Sequence, residues 1–381
     1  MNRAMERQTF PNRLLRRLRA EAVLCISFAA ALLSALFVPP DAAYPSYIDL
    51  RVLCLLFALM AVVQGFVRCG LFRLLAERLL SGERTLRALC LLLVLLPFFV
   101  SMVVTNDVAL LALVPFTFFL LRQADAEALG VRVCVLQTVA ANLGSMATPI
   151  GNPQNLYLHA RYALTAGQFF SVVLPLALVS LVALALTAVL SAPPRGRVHV
   201  TFAEPTRIAD ARRLAAYAAL FLLCLAAVFR LVHYAVAAAA ALLLLLLLDR
   251  PLLRRIDYGL LLTFCCFFVF SGNLGRIPAV RALLESLLDR STLLCAAAAS
   301  QCISNVPAAI LLSGFTGDWQ GLLAGVNIGG LGTPVASLAS LISLRLYLKE
   351  PGARARRFLS VFTLVNVAGL ALLLGVAALL F

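Results

Sequence analysis

Charge is scarce in this sequence. Only 13% of its 381 residues are Asp, Glu, Lys or Arg, about half the share of a soluble domain. That shortage excludes an ordinary water-soluble fold, which needs a polar coat. Lysine is almost missing: Lys349 stands alone, so arginine carries nearly all of the formal net charge of +15. Histidine occurs three times, at positions far apart (His159, His199, His233), and the ten cysteines form no CxxC. These spacings give no support to a zinc site or a disulfide framework; scattered cysteines act by default as small hydrophobes. HExxH, GxSxG and paired catalytic aspartates are missing too, which argues against an enzyme. The absence of GxxxxGK(S/T) argues against ATP hydrolysis by this chain, and an ATPase partner in trans stays open.

What is present is apolar. Hydrophobic residues make up 63% of the chain and the mean hydropathy is +0.99. A bundle of lipid-facing helices needs no polar coat, so the fold class expected is all-α and polytopic. The arginines fall in short clusters between apolar runs rather than on one face. That is the positive-inside pattern of membrane loops, not a nucleic-acid surface.

Ordinary spans are expected over 22–38, 51–68, 166–190, 214–232, 234–248, 258–272 and 358–379, each near the ~20 residues a crossing needs. The basic stretch before the first run resembles a signal peptide, but the topology requires a retained helix. Two long apolar regions are interrupted by polar residues: 88–121 at Thr105-Asn106-Asp107, and 291–315 at Ser304-Asn305-Val306-Pro307. Each is read as a re-entrant hairpin with a polar tip. Two more regions, 133–158 and 319–346, are read as broken crossings, interrupted around Pro149 and Pro334. Proline removes a helix donor and glycine frees the backbone.

Arginine placement sets the sides. Arg13 to Arg19, the segment 68–87, Arg122 and Arg132, and the loop holding Arg195, Arg197, Arg207, Arg212 and Arg213 fall inside. So do 250–255 and 345–357. The loop 39–50 has no Lys or Arg and lies outside, as do 273–290 and the C-terminus. Each half then reads helix, helix, hairpin, broken helix, helix. Residues 1–190 form the first repeat, 191–232 a cytoplasmic linker with a connecting helix, and 233–381 a second repeat of inverted topology, a recurring transporter design.

The repeats also agree in sequence. Asn106 corresponds to Asn305. Ala141-Asn142-Leu143-Gly144-Ser145-Met146-Ala147-Thr148-Pro149-Ile150 matches Val326-Asn327-Ile328-Gly329-Gly330-Leu331-Gly332-Thr333-Pro334-Val335 without a gap. Beyond it, Asn152 pairs with Ser337 and Asn155 with Ser340. Half-helix N-termini suit an anion; unwound carbonyls, Asn oxygens and hydroxyls suit a hard cation. The alternative is that Asn and Thr merely cap tips and glue helices. Asp107 is the one acidic residue expected at membrane depth, where a carboxylate is costly and usually functional. It also suits the helix start at Val108. Thr105, Asn106, Asp107, Asn142, Gly144, Thr148, Pro149, Asn152, Asn155, Ser304, Asn305, Asn327, Gly329, Thr333, Pro334 and Ser337 are therefore the candidate substrate and ion residues. A sodium ion is expected near Asn106, Asp107 and Asn305.

The segments TNDVALLALVPF, NLGSMATPIGNPQNLYL, SNVPAA and NIGGLGTPVASL resemble the ion transporter superfamily. Its members include citrate-transporter-like permeases, divalent anion:sodium symporters, arsenite permeases and one group of sodium/proton antiporters. The resemblance runs from about residue 50 to the end, and NLGSMATPIGNPQN is its most specific piece. It implies a secondary transporter with two re-entrant hairpins, an elevator movement and a homodimer. In the symporter branch a Ser-Asn-Thr signature at each tip holds sodium and a carboxylate. Here Asp107 and Val306 depart from the third position, and the Asn-Asp pair is closer to the arsenite permease branch. The function expected is transport of a small anion across the cytoplasmic membrane, coupled to Na+ or H+, with no cofactor. Arsenite efflux, sodium/proton antiport and a channel are the rivals.

Overall fold

The computed structural model describes residues 22–193, 196–200, 208 and 210–381. The topology arginines Arg13, Arg16, Arg17, Arg19, Arg195 and Arg207 lie outside the described residues. Among the described residues the structure is all-α apart from one short ribbon. In order come α1 (Ala22–Phe37), α2 (Tyr44–Tyr47), α3 (Leu50–Arg68), α4 (Leu71–Leu80), β1 (Gly82–Thr85), α5 (Leu86–Val100), α6 (Asn106–Gln123), α7 (Gly130–Ser145), α8 (Pro153–Arg161) and α9 (Ala166–Ser191). Then follow β2 (Arg197–Val200), α10 (Ala211–Val228), α11 (Tyr234–Leu248), α12 (Arg250–Leu253), α13 (Tyr258–Gly275), α14 (Pro278–Arg290), α15 (Thr292–Ile303), α16 (Asn305–Leu312), α17 (Trp319–Ile328), α18 (Leu338–Tyr347) and α19 (Ala355–Leu380).

Seven helical stretches among the described residues are long and apolar enough to cross a membrane. This is a polytopic membrane protein. The boundaries follow local chemistry. Asp49 accepts from the Val52 amide to start α3, and Thr165 with Gln168 forms a capping box at α9, each satisfying orphan donors of a first turn. Gly70, with φ +76°, turns the chain between α3 and α4, a conformation that favours glycine.

Burial separates an interior from a lipid-facing shell. In α7 every residue except Arg132 is buried, and α17 is buried from Gly321 to Ile328. Around α7 pack α5, α6, α9, α18 and α19; α15 and α16 pack on α17. By contrast α19 and α9 expose leucines such as Leu364 and Leu190, as expected of surfaces that meet acyl chains. Within the interior, small residues let backbones approach. A Cβ on Gly144 would collide with the Phe98 carbonyl and the Ser101 hydroxyl, and one on Gly329 would meet Ser300.

Polar contacts between loops sort the helix ends into two faces. On one, Asp249 is buried and holds Arg68 at 2.7 Å and Arg213 at 3.0 Å, with Tyr217 donating to its other oxygen at 2.9 Å. The same face has Arg122 paired with Glu350 at 3.1 Å and the antiparallel β1–β2 ribbon. On the other, Arg276 pairs with Asp41 at 2.8 Å, Arg51 donates to the Ala227 carbonyl and Arg230 to that of Ala160. The Arg276 guanidinium holds the Asp41 carboxyl below its usual range.

Two segments hold elements that the sequence reading did not give. The segment 273–290, read as a loop, holds α14, an amphipathic helix in which Arg281 and Glu285 pair four residues apart. The segment 68–87 contains α4, and β1 pairs with the linker strand β2.

Candidate functional site

Both polar interruptions place an asparagine at the first residue of a helix. Asn106 opens α6 after Thr105, and Asn305 opens α16 after Ser304; neither preceding residue caps with its own side chain. The asparagines do so instead. The Asp107 amide donates to Asn106 Oδ1 at 3.0 Å and the Val306 amide to Asn305 Oδ1 at 2.9 Å, satisfying a donor that a helix start leaves unpaired.

The two tips differ in what remains free. In α16 the Asn305 amide donates to the Ala336 carbonyl at 3.0 Å, Ala308 donates to Ser304, and Pro307 has no N–H. In α6 the Ala109 amide reaches Thr105, while the amides of Asn106 and Val108 have no partner among the described residues. The first tip thus keeps free helix-start donors, the groups that bind anions. It also carries Asp107, whose enclosed Oδ1 makes no hydrogen bond among the described residues. Backbone conformation differs as well. Ser304 sits at φ +72°, strained for a residue with a Cβ, whereas Thr105 is relaxed at φ −65°.

Behind the tips the two interrupted helices are cross-bonded. Asn142 on α7 accepts from Asn106 Nδ2 at 2.9 Å and from the Ser337 hydroxyl at 2.9 Å, and donates to the Gly330 carbonyl at 3.4 Å. Asn327 on α17 accepts from Asn152 Nδ2 at 3.2 Å and donates to Asn155 Oδ1 at 2.6 Å. Each break therefore sends a donor to the asparagine of the other. The threonines repeat a second pattern: Thr148 donates to the Met102 carbonyl at 2.6 Å and Thr333 to that of Gln301 at 3.0 Å. Both acceptors lie four residues before a tip asparagine. The match is incomplete, since Ser340, opposite Asn155 in the alignment, leaves its buried hydroxyl unpaired.

A cavity of about 520 Å³ lies against these tips. Thr105, Asn106, Asp107, Asn152, Ser304, Asn305 and Ser337 line it, α3 and α13 supply apolar wall, and Arg255 and Asp257 stand exposed at its edge. Asn142, Asn155 and Asn327 sit behind the wall, buried and bonded to the residues that form it. Gly144 and Gly329 act in helix packing. Thr148 and Pro149 stay in the first break, away from the cavity lining, and Thr333 is exposed on the far side of the second, next to half-buried Pro334. The oxygens of Thr105, Asn106, Asp107, Ser304 and Asn305 are ligands that suit a hard cation. No group of three or more His, Cys, Asp or Glu that could hold a metal occurs among the described residues.

Two glutamines escaped the sequence reading. Gln301 ties α15 to the second break: its Nε2 donates to the Gly329 and Leu331 carbonyls at 2.8 and 2.9 Å, and its Oε1 accepts from the Thr333 amide at 2.8 Å. Gln137 is buried in α7 and donates to the Leu93 carbonyl at 2.8 Å and to Thr117 Oγ1 at 2.7 Å, joining both arms around the first tip. Their only signal was a lone amide within an apolar helical run.

The profile of the citrate transporter family matches residues 13–316. The chain belongs to the citrate transporter family. Relatives agree with this transporter assignment. The inner membrane protein YbiR of Escherichia coli is 31% identical over 315 residues, covering 81% of this chain and 83% of its own. An uncharacterised transporter of Methanocaldococcus jannaschii, MJ0456, is 30% identical over 287 residues, covering 75% and 78%. The silicon efflux transporter LSI3 of rice is 36% identical over 140 residues, covering 35% of this chain and 27% of its own. This citrate transporter family member is therefore a multi-pass membrane transporter, and the cavity at its two asparagine tips is the candidate site of transport.

Proposed function

We propose that this protein is a secondary transporter that moves a small carboxylate or oxyanion, coupled to Na+ or H+, through the cavity between the two tips. The observation that carries this reading is the first tip. Free amides of a helix start, which favour an anion, stand beside the unpaired carboxylate of Asp107. Two negative charges a few ångströms apart in a poorly solvated site repel strongly. An anion binds well only when a cation or proton has neutralised Asp107, and that dependence is the coupling. Asn106 and Asn305 with Asp107 would supply the oxygens for Na+.

The surrounding architecture is proposed as follows. Residues 1–190 and 233–381 are inverted repeats joined through 191–232, with hairpins at 88–121 and 291–315. The protein lies in the cytoplasmic membrane with its N-terminus inside and C-terminus outside. Support comes from the ends that touch: loops given the same side by arginine placement contact one another, as in Arg122–Glu350 and Arg276–Asp41. A homodimer and an elevator movement, with hairpins and broken helices travelling as one body, are carried by the resemblance. The cross-bonded asparagines favour such a body. A second reading, efflux of an uncharged oxyacid or cation exchange on the same fold, is favoured by the bare Asp107 carboxylate and by the silicon efflux relative.

The test is uptake into proteoliposomes of labelled citrate, succinate, sulfate, phosphate and arsenite, with sodium and proton gradients imposed separately. Saturable uptake of one anion that follows one gradient is expected. In Asp107→Asn, flux should lose its dependence on that gradient while the protein remains folded. Normal coupling in that variant would overturn the role of Asp107. Sodium-driven proton movement without any anion flux would replace the reading by antiport.

A further inference from the structure

A second cavity, of about 600 Å³, lies on the face that carries the loop 39–49. It is stacked on the first along the same four elements. Helix α3 gives Leu56 to the first cavity and Arg51 to the second; α8 gives Leu156 and then Tyr157; α13 gives Thr263 and then Phe268; α16 gives Pro307 and then Ile310. Between the two stands a septum. Tyr157, Phe268 and Ile310 are each no more than 5% exposed, and the Tyr157 and Phe268 rings lie 5.7 Å apart. Beyond this barrier the chemistry changes. The second cavity has Arg51 and Arg161 in its wall. Arg51 is held in place by its bond to the Ala227 carbonyl at 2.8 Å. Arg161 makes no salt bridge among the described residues. The carboxylate that shares the wall, Asp49, is engaged at the start of α3, accepting from Val52 at 3.0 Å.

We propose that this second cavity is the far half of the transport route, a basic vestibule in which Arg51 and Arg161 gather a small carboxylate or oxyanion, closed from the tip cavity by the Tyr157–Phe268–Ile310 septum. The assignment rests on the anion-transport reading above. A cleft lined by one sign of charge raises the local concentration of the opposite ion. Arginine suits planar carboxylate and oxyanion groups because its fork donates two parallel bonds. The vestibule governs capture from one side only, so its residues control the apparent affinity at that face and not at the other.

Two measurements test this. Gly275 lines the vestibule with open space where a Cβ would stand, so Gly275→Cys, in a Cys302→Ser background that removes the exposed native thiol, reports local potential. Relative to their rates with a free thiol, an anionic methanethiosulfonate should modify that thiol faster than a cationic one; Arg161→Gln should slow the first and speed the second by about fivefold each, the factor for one charge at about 8 Å in an effective dielectric near 40, and so shrink the ratio about 25-fold. In oriented proteoliposomes, Arg161→Gln should raise KM severalfold for the anion offered at this face and leave KM at the opposite face unchanged. Equal rates for the two reagents, each taken relative to a free thiol, would overturn the basic vestibule whatever the protein transports. Intact charge preference with an equal KM change at both faces would overturn the route. Charge preference with no anion flux in the unaltered protein would overturn the transport reading itself, and the vestibule's role with it.

Discussion

Replacing Asn142 with alanine separates a site residue from a strut. Its Oδ1 receives two donors, Asn106 Nδ2 and the Ser337 hydroxyl, both at 2.9 Å. Removing the amide leaves both donors facing a void. Each unsatisfied buried donor costs about 1–3 kcal/mol, and both belong to residues that line the cavity, so water can reach them and the low end applies. The sum is about 2 kcal/mol, placed on the first tip and the second break together. If ligand binding requires those groups in position, affinity should fall about 30-fold, since 1.4 kcal/mol is tenfold. The control is Asn155→Ala. Asn155 is fully buried away from the cavity and donates to the Met146 and Thr148 carbonyls at 3.0 and 3.1 Å. It should lower thermal stability in detergent at least as much, with little change in affinity for whatever protein remains folded. Binding of the transported anion and thermal unfolding, measured on both variants, decide the matter. Unchanged affinity in Asn142→Ala, with the larger loss of stability, would refute the reasoning.

Three further outcomes are expected. Gly144→Ala should sharply reduce the yield of folded protein on size-exclusion chromatography, because its Cβ meets the backbone of Phe98, which cannot swing aside. Asp249→Asn should destabilise by about 2–3 kcal/mol in a denaturation assay, less than a fully buried pair, because both guanidinium partners are more than a third exposed. The Asp41 carboxyl is held below its unfolded value by Arg276. Its contribution is therefore present above the unfolded carboxylate range and is lost as pH falls through the lower folded value. Thermal stability followed from pH 6 downward should show an acid limb that Asp41→Asn makes shallower.

Most of the fold could be read from the chain because its irregularities are chemically loud. Pro, Gly and Asn interrupt apolar runs at 105–107, 146–153, 304–307 and 329–337, and the helices break at those places. Contacts with quiet signals were not legible. The β1–β2 ribbon joins two four-residue strands more than a hundred positions apart. Helix α14 was hidden because its charges, taken for a loop, form the polar face of an amphipathic helix. Spacing placed Thr333 opposite Thr148 but could not show that one side of the second break is exposed. Nor could it reveal Asp249, whose importance lies in drawing together Arg68, Arg213 and Tyr217 from distant helices.

The exchange of donors between the breaks bears on how the chain matures. Ser337 reaches Asn142 and Asn152 reaches Asn327, so each half completes the hydrogen bonding of the other's buried amides. The first half, once threaded into the bilayer, holds the Asn142 side-chain nitrogen without its Gly330 acceptor until the last third of the chain arrives. Two halves made as separate polypeptides would meet the same need, and their association would be specified by these amides rather than by the greasy surfaces around them.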